Sequence, residues 1–380
     1  MYGTFAVSQA VYGFAFDGFG VVFHEPMMVL APGRFLDRQA AYLKALLFLH
    51  VVASLALSLA VSCGYPLFTR YFSNSLADAL FAMSLAAPAM LLLQLVRRIS
   101  SARFQLHVSA LAGVSAFALL FGLLDLQQSL GATSVPNAYA ALGISSAVVS
   151  LAALFYLRLL AGPVRDRGLL EQAWSEHRHW TFWGLPTVVA RWFPINAYYV
   201  FTSMLVHGPL GFAAAGKLRA LMSLVMPMLQ LQGALSSSLL STLASRSQKR
   251  AQATTPRLLG LVAAASSAYA LALIVLGKVI VPVVFGRNYL PSQTMLWCVG
   301  ATLVSSGIAS VLRATLLAVE QPRRVFFATT LSAVVTVTAG LWAVHRLGVT
   351  GAALGMAVAS ATQAVAMGLM LVLLMRNKRT

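Results

Sequence analysis

"TGAALGMAVASATQ" (Thr350–Gln363) shares its AALG with "NAYAALGISSAVVS" (Asn137–Ser150), 212 residues earlier. Four letters in an alanine- and leucine-rich chain settle nothing by themselves, but their surroundings do. "YPLFTRYF" resembles "VPVVFGRNY", with Pro66 and Pro282 standing 216 residues apart. At the same offset, Arg97 in "LQLVRRISS" meets Arg313 in "ASVLRATLL". Near the N-terminus, "YGTFAVSQA" resembles "LGFAAAGKL" at an offset of 208. Four landmarks in one order, at nearly constant spacing, point to an internal duplication in which AALG opens the last helix of each copy.

Composition says what these copies are made of. The chain is 59% hydrophobic and only 9% charged, with a mean hydropathy of +0.81. A soluble domain carries about 25% charged residues, so lipid must be the solvent for most of this surface. Runs such as "LLGLVAAASSAYALALIVLG" (Leu258–Gly277) are long enough to cross a bilayer. Apolar runs between charged or turn-rich breaks predict about eleven helices. They cover roughly 2–23, 41–63, 76–96, 104–125, 138–160, 180–206, 210–243, 258–284, 291–317, 325–344 and 348–375.

The net charge of +18 would suggest nucleic acid in a soluble protein; here it has a simpler source. Alternate loops hold 20 of the 27 cations, among them Arg34, Arg38, Arg165, Arg167, Arg246, Arg323, Arg324 and Arg376. The opposite loops hold four: Arg70, Lys278, Arg287 and Arg346. By the positive-inside rule the C-terminus is cytoplasmic and Met1 lies outside. No nucleic-acid partner is expected. Cys63 and Cys298 are isolated, without metal spacing or a disulfide framework. The first residues lack the basic stretch of a cleavable signal peptide.

The expected fold is all-α and polytopic, with two related bundles (5 + 6) around a central cavity. Residues 1–160 form the first bundle, 161–179 a cytoplasmic linker and 180–380 the second bundle. An even number of helices separates the copies, so they share orientation, as in transporters whose halves rock about a central site. The sixth helix, "WTFWGLPTVVARWFPINAYYVF", has no mate within the chain, and its mate would lie before Met1.

Several segments carry a family resemblance. "GPLGFAAAGKLRALMSLVMPMLQLQGALSSSLLSTLAS" resembles the eighth helix of polysaccharide flippases of the O-antigen, capsule and exopolysaccharide type. "VPVVFGRNYLPSQTMLWCVGA" is similar to that family's helix–loop–helix ending in "FG", and "RLGVTGAALGMAVAS" to the entry of its twelfth helix. These flippases share a superfamily with lipid II flippases and with multidrug and toxic compound extrusion antiporters. The resemblance implies twelve or more helices, the first of which is absent here. It also implies alternating-access movement of an isoprenoid-pyrophosphate-linked oligosaccharide across a bacterial inner membrane. No cofactor is expected. The implied surroundings are the bilayer and the polymerase machinery of the same polysaccharide, with the protein acting as a monomer.

Such a substrate needs a shielded polar groove with cations for its phosphates. Ionisable groups inside spans cost roughly 2.5–3.5 kcal/mol each unless a cavity or partner receives them, so they are the candidates. Arg191 lies on a helix interrupted by Gly184, Pro186 and Pro194, the pattern that marks transporter sites. Arg219, Ser223, Gln230, Ser237 and Ser241 fall within about 40° of one another on a helix. They form a polar stripe that suits either a groove wall or interhelical packing. Lys217 points about 160° away. Asp17 is the one acid well inside a span, as an ion partner for Arg191 or Arg219 or as a proton-coupling site. Arg97 and Arg313 sit at cytoplasmic helix ends, where they catch phosphates or anchor the chain. Trp183, Tyr198 and Tyr199 are candidates to stack on sugars or to serve in interfacial belts and packing, while His177 and His179 read as part of a solvated linker.

Other classes fit less well. External loops of about 5 to 14 residues are too short for a catalytic segment, and no acid pair or nucleophile–base set is evident. The alternative is a cation-coupled multidrug antiporter of the same superfamily. It calls for intramembrane carboxylates, whereas this chain offers Asp17 against three basic residues in spans.

Overall fold

The computed structural model describes residues 2–71, 74–160, 167–198, 201–202, 209–245 and 248–376, and among them every regular element is helical. The chain divides into two compact units, Met1–Phe182 and Trp183–Thr380. Eight helical runs among the described residues are long and apolar enough to cross a membrane.

In the first unit α1 (Tyr2–Phe19) passes through a π turn, Gly20–His24, into α2 (Glu25–Leu30). There follow α3 (Gln39–Cys63), the short α4 (Tyr65–Tyr71), α5 (Asn74–Ala102), α6 (Leu106–Ser129) and α7 (Val135–Tyr156). Ser134 starts α7 by accepting a bond from the Asn137 amide at 3.2 Å, and Pro136 is preset for a first helical turn. α8 (Arg167–Trp192) runs across the boundary between the units and continues as a second π turn, Phe193–Ala197.

The second unit adds α9 (Pro209–Ala244), α10 (Gln248–Phe285), α11 (Gln293–Ala318), α12 (Pro322–Val335) and α13 (Leu341–Arg376). A third π turn, Thr336–Gly340, joins α12 to α13. α13 is interrupted at Gly348 (φ 57°, ψ −131°), a conformation that only glycine adopts readily. The interruption falls where the hydropathy pattern separates the last two predicted spans.

The two units repeat one packing scheme. α5 is the hub of the first and packs against α1, α3, α6 and α7; α11 is the hub of the second and packs against α9, α10, α12 and α13. Each hub buries 61% of its most apolar window, more than any other candidate span. Both hubs end alike. Phe104 and Glu320 take left-handed φ of 58° and 57°, and each is closed by the same pair of backbone bonds. Gln105 N reaches Ser100 O at 2.8 Å, and Gln321 N reaches Leu316 O at 2.9 Å. A non-glycine residue held there costs about 1–2 kcal/mol; the two hub stops lie 216 residues apart, and Arg158, at φ 56°, closes α7 with the same pair of bonds.

The predicted linker needs a correction. From Arg167 onward it is helix, and its inner face packs into the first unit. His177 is 1% exposed. Its Nδ1 donates to the Val22 carbonyl at 2.7 Å, which leaves Nε2 to accept from the Tyr42 hydroxyl at 2.7 Å. With both nitrogens used in the neutral form, burial pushes the imidazole down to about 4. On the rim of this segment, Arg34 and Glu176 pair at 2.6 Å. Residues 161–166 of the predicted linker lie outside the described residues.

Candidate functional site

α9 shows two faces. Leu218, Leu221, Met222, Val225 and Met228 turn into the core of the second unit, all buried. Arg219, Ser223 and Gln230 lie on the opposite side and are exposed, so three members of the predicted stripe share one outward face. Ser223 Oγ turns back to donate to the Arg219 carbonyl at 3.0 Å. The stripe fades further along: Ser237 is half-buried and Ser241 buried, bonded back to the carbonyls of Gly233 and Ser238. A guanidinium, a hydroxyl and an amide thus share one exposed face of a helix long and apolar enough to cross a membrane. Lys217 is half-buried on the flank between the two faces.

The remaining predicted residues are dispersed. Asp17, half-buried on α1, belongs to the first unit, whereas Arg191, half-buried near the end of α8, belongs to the second. Arg97 and Arg313 occupy the same place on the two hubs, both half-buried. Gly113 on α6 lies against Arg97, where a Cβ would sit in ordinary contact, 3.7 Å from the guanidinium carbon. Trp183 lies under Arg323, whose guanidinium carbon is 5.4 Å from the ring centre, and beside Phe326 and Phe327. Tyr198 is fully buried over Gly340 and Gly355, which takes it out of reach of a sugar. Tyr199 lies outside the described residues.

Two polar clusters were not picked out in the sequence. In the second unit, Gln232 Nε2 donates to Ser266 Oγ at 3.0 Å and to the Leu303 carbonyl at 3.1 Å, binding α9, α10 and α11 together. Gly307 leaves the space for them, since a Cβ there would lie 2.7 Å from Ser266 Oγ and 2.9 Å from Gln232 Nε2. In the first unit, His24 and His50 stack with ring centres 5.6 Å apart and planes 23° apart. Phe19 and Phe23 meet the His50 ring edge-on at 5.0 and 5.2 Å. His24 Nε2 and both nitrogens of His50 are buried without a hydrogen-bond partner among the described residues.

The repeat could have found this pair. Moved by the offsets of 208 and 216, Gln232 and Ser266 fall on His24 and His50, and Gly307 falls on Leu91. No group of three metal-ligating side chains occurs among the described residues.

No protein-family model and no curated protein matches the chain by sequence. Its fold is similar to those of solved multidrug and toxic compound extrusion (MATE) transporters. One is a multidrug resistance MATE transporter of the MOP superfamily in its outward-facing conformation: TM-score 0.79, 16% identity, covering 100% of this chain and 88% of that one. A eukaryotic MATE transporter gives 0.77 at 13% identity, covering 97% and 87%. A MOP superfamily transporter from Pyrococcus furiosus, described by a binding pocket of reverse polarity that suggests a different function, gives 0.77 at 14%, covering 97% and 86%. At these identities the likeness establishes the fold: this chain is built as two MATE-like helical bundles.

Proposed function

We propose that this chain, with the two-bundle fold of the MATE transporters, moves an anionic lipid-linked substrate across its membrane by alternating access. The substrate class is an isoprenoid-pyrophosphate-linked oligosaccharide. The observation that carries the reading is the exposed face of α9, where Arg219, Ser223 and Gln230 stand opposite the buried side of the helix. A guanidinium suits bidentate contact with phosphate oxygens, and the hydroxyl and amide beside it suit sugars. The chain's own residues need only bind and shield; no bond is made or broken. Arg97 and Arg313, at matched positions on the two hubs, suit capture of the headgroup at the inner leaflet.

A second reading has its own support. A cation-coupled drug antiporter needs a protonatable group within the bundle, and the buried His24–His50 pair is one. The fold is also similar to that of a transporter described by multidrug resistance. The charge of the ligand-facing side chains separates the readings: the outward face of α9 offers a cation, which repels a cationic drug and attracts a pyrophosphate.

The test is made in cells lacking the gene, by measuring isoprenoid-pyrophosphate-linked oligosaccharide accessible on each membrane face. Accumulation on the cytoplasmic face, relieved by the wild type but not by Arg219→Ala or Arg191→Ala, is the expected result. An unchanged distribution together with new sensitivity to cationic drugs would establish the antiporter instead.

A further inference from the structure

Arg97 stands five residues before the end of α5, about 8 Å inside it, and α6 passes its guanidinium with Gly113. The residue is half-buried, and its Nε is buried. Among the described residues its guanidinium makes no hydrogen bond and no ion pair. The local sequence offers no acid to it. "QLVRRISSARFQLHVSA" (Gln94–Ala110) carries Arg97, Arg98 and Arg103 and no carboxylate, and "ALFYLRLL" (Ala153–Leu160) adds Arg158 and none. Arg103 is used by the fold: its Nη1 donates to the Leu157 carbonyl at 3.0 Å and ties the end of α5 to that of α7. Arg97 ties nothing.

The repeat shows what the second unit puts in the corresponding place. At the offset of 216, Arg97 becomes Arg313 and Gly113 becomes Thr329. Thr329 Oγ1 donates to the Val325 carbonyl at 2.8 Å and lies 3.3 Å from the Gln363 amide nitrogen, which donates to it. At the offset of 212, Gln363 falls on Leu151, which is 54% exposed. One copy therefore has a hydroxyl and an amide where the other has a glycine and an outward leucine. Next to Gly113, the outer face of α6 is apolar: Val114, Phe117 and Phe121 are 68%, 62% and 55% exposed. The two phenyl rings lie 4.5 Å apart. Such a face belongs against lipid, and an arginine about one and a half turns from a helix end reaches headgroup depth.

We propose that Arg97 holds the phosphate of a lipid headgroup at the α5–α6 edge, with the acyl chains lying along Val114, Phe117 and Phe121. The guanidinium presents parallel N–H donors that match two phosphate oxygens. Surroundings that hold arginines and no acid favour an anionic headgroup over a zwitterionic one. This gives a definite ligand to the headgroup role proposed above for Arg97, yet binding here does not depend on transport. A chain that moves no pyrophosphate lipid would still hold a phospholipid at this edge.

The experiment takes the full 380-residue chain in detergent, adds phosphatidylglycerol or phosphatidylcholine, and counts retained lipid by native mass spectrometry. The wild type should retain phosphatidylglycerol about fivefold better than phosphatidylcholine, and Arg97→Gln should remove that preference. Arg97→Lys keeps the charge without the fork and should fall between the two. Gly113→Thr gives α6 the second unit's residue beside an intact arginine, and should lower retention about threefold by competing for the guanidinium. Arg158 is exposed at the same end; Arg158→Gln removes an equal charge and should leave retention unchanged. Two competitors separate the sources of phosphate. Displacement by isoprenyl pyrophosphate would support the site and make the transported class of lipid a second occupant; no displacement would support it with phospholipid alone. Displacement by inorganic phosphate at equal concentration would overturn the proposal, because a free anion would then suffice. Retention unchanged in Arg97→Gln and Gly113→Thr, or lost equally in Arg158→Gln, would overturn it too.

Discussion

Where α9, α10 and α11 meet, the second unit closes its interior with Gln232, Ser266 and the Leu303 carbonyl, in the space left by Gly307. Where α1, α3 and α5 meet, the first unit holds His24, His50 and Leu91 at the matching positions. The helices, their order and the strained stops of their hubs are the same; the chemistry of the junction is not. One junction is a satisfied amide–hydroxyl network that fixes three helices together. The other is a pair of stacked imidazoles in an aromatic enclosure, with nitrogens that lack partners among the described residues. A duplicated framework therefore specifies packing twice while leaving the buried polar positions free to diverge. The first unit is the one suited to respond to protons, and the second carries Arg219.

Exchanging the corner residue should break this comparison most sharply. Gly307→Leu puts the first unit's residue into the second, where Ser266 Oγ and Gln232 Nε2 already occupy the space. Overpacking at about 1–3 kcal/mol and the loss of buried hydrogen bonds at about 1–3 kcal/mol each should together cost roughly 4 kcal/mol or more. Thermal unfolding in detergent would show it as a large fall in Tm. A variant as stable as the wild type would mean that the Gln232 network does not hold the junction.

Acidification comes next, and it should act on the first unit alone. Among the described residues the second unit buries no histidine. His177 has a folded pKa lowered from 6.5 to about 4 by burial. The folded state therefore favours the neutral ring. Its contribution is complete above about pH 6.5, falls as pH drops through the window, and is gone below about pH 4, a loss on the order of 3 kcal/mol. Hydrogen exchange in α3 and α8 should accelerate on acidification while α10 and α11 stay protected. His177→Gln should flatten that response; an unchanged response would assign it to other groups.

The paired glycines sharpen the comparison at a smaller scale. Gly355→Ala drives a Cβ into the Tyr198 ring, whereas Gly143→Ala meets only Ala86 at 3.2 Å. The first should cost about 1–3 kcal/mol and the second less than about 1 kcal/mol, both read as Tm in detergent. Equal losses would show that the two glycines are packed alike. The smallest effect on stability belongs to Arg219→Ala. An exposed side chain away from the core should change stability by no more than about 0.5 kcal/mol, even though the proposed transport depends on it.

Much of this was legible in the chain. The extreme hydropathy gave the membrane class, and the landmarks at Pro66, Pro282, Arg97 and Arg313 gave the repeat, because covalent spacing survives divergence. The periodicity of α9 put Arg219, Ser223 and Gln230 on one face, which the structure shows turned from the core. The helical start of α8 was not legible, since its charged residues read as a solvated linker while its anchors, His177 and Tyr42, lie 135 residues apart. His24 and His50 escaped for a related reason. Each is an isolated histidine within an apolar run, and only the π turn and the packing of α1 on its neighbours bring the rings together. Tyr198 read either as a sugar platform or as a packing residue, because sequence does not show that Gly340 and Gly355 clear a slot for its ring.

The central claim, that an exposed arginine on α9 serves an anionic lipid-linked substrate, is tested most directly in proteoliposomes. A fluorescent isoprenoid-pyrophosphate oligosaccharide is loaded in both leaflets, and the fraction that becomes accessible to an external quencher is followed in time. The wild type should carry probe between leaflets. Arg219→Ala should slow it at least tenfold and Arg219→Lys less, with His24→Phe and His50→Phe leaving the rate intact. An Arg219→Ala rate equal to that of the wild type, with movement abolished by the histidine variants, would contradict the account and move the site to the first unit.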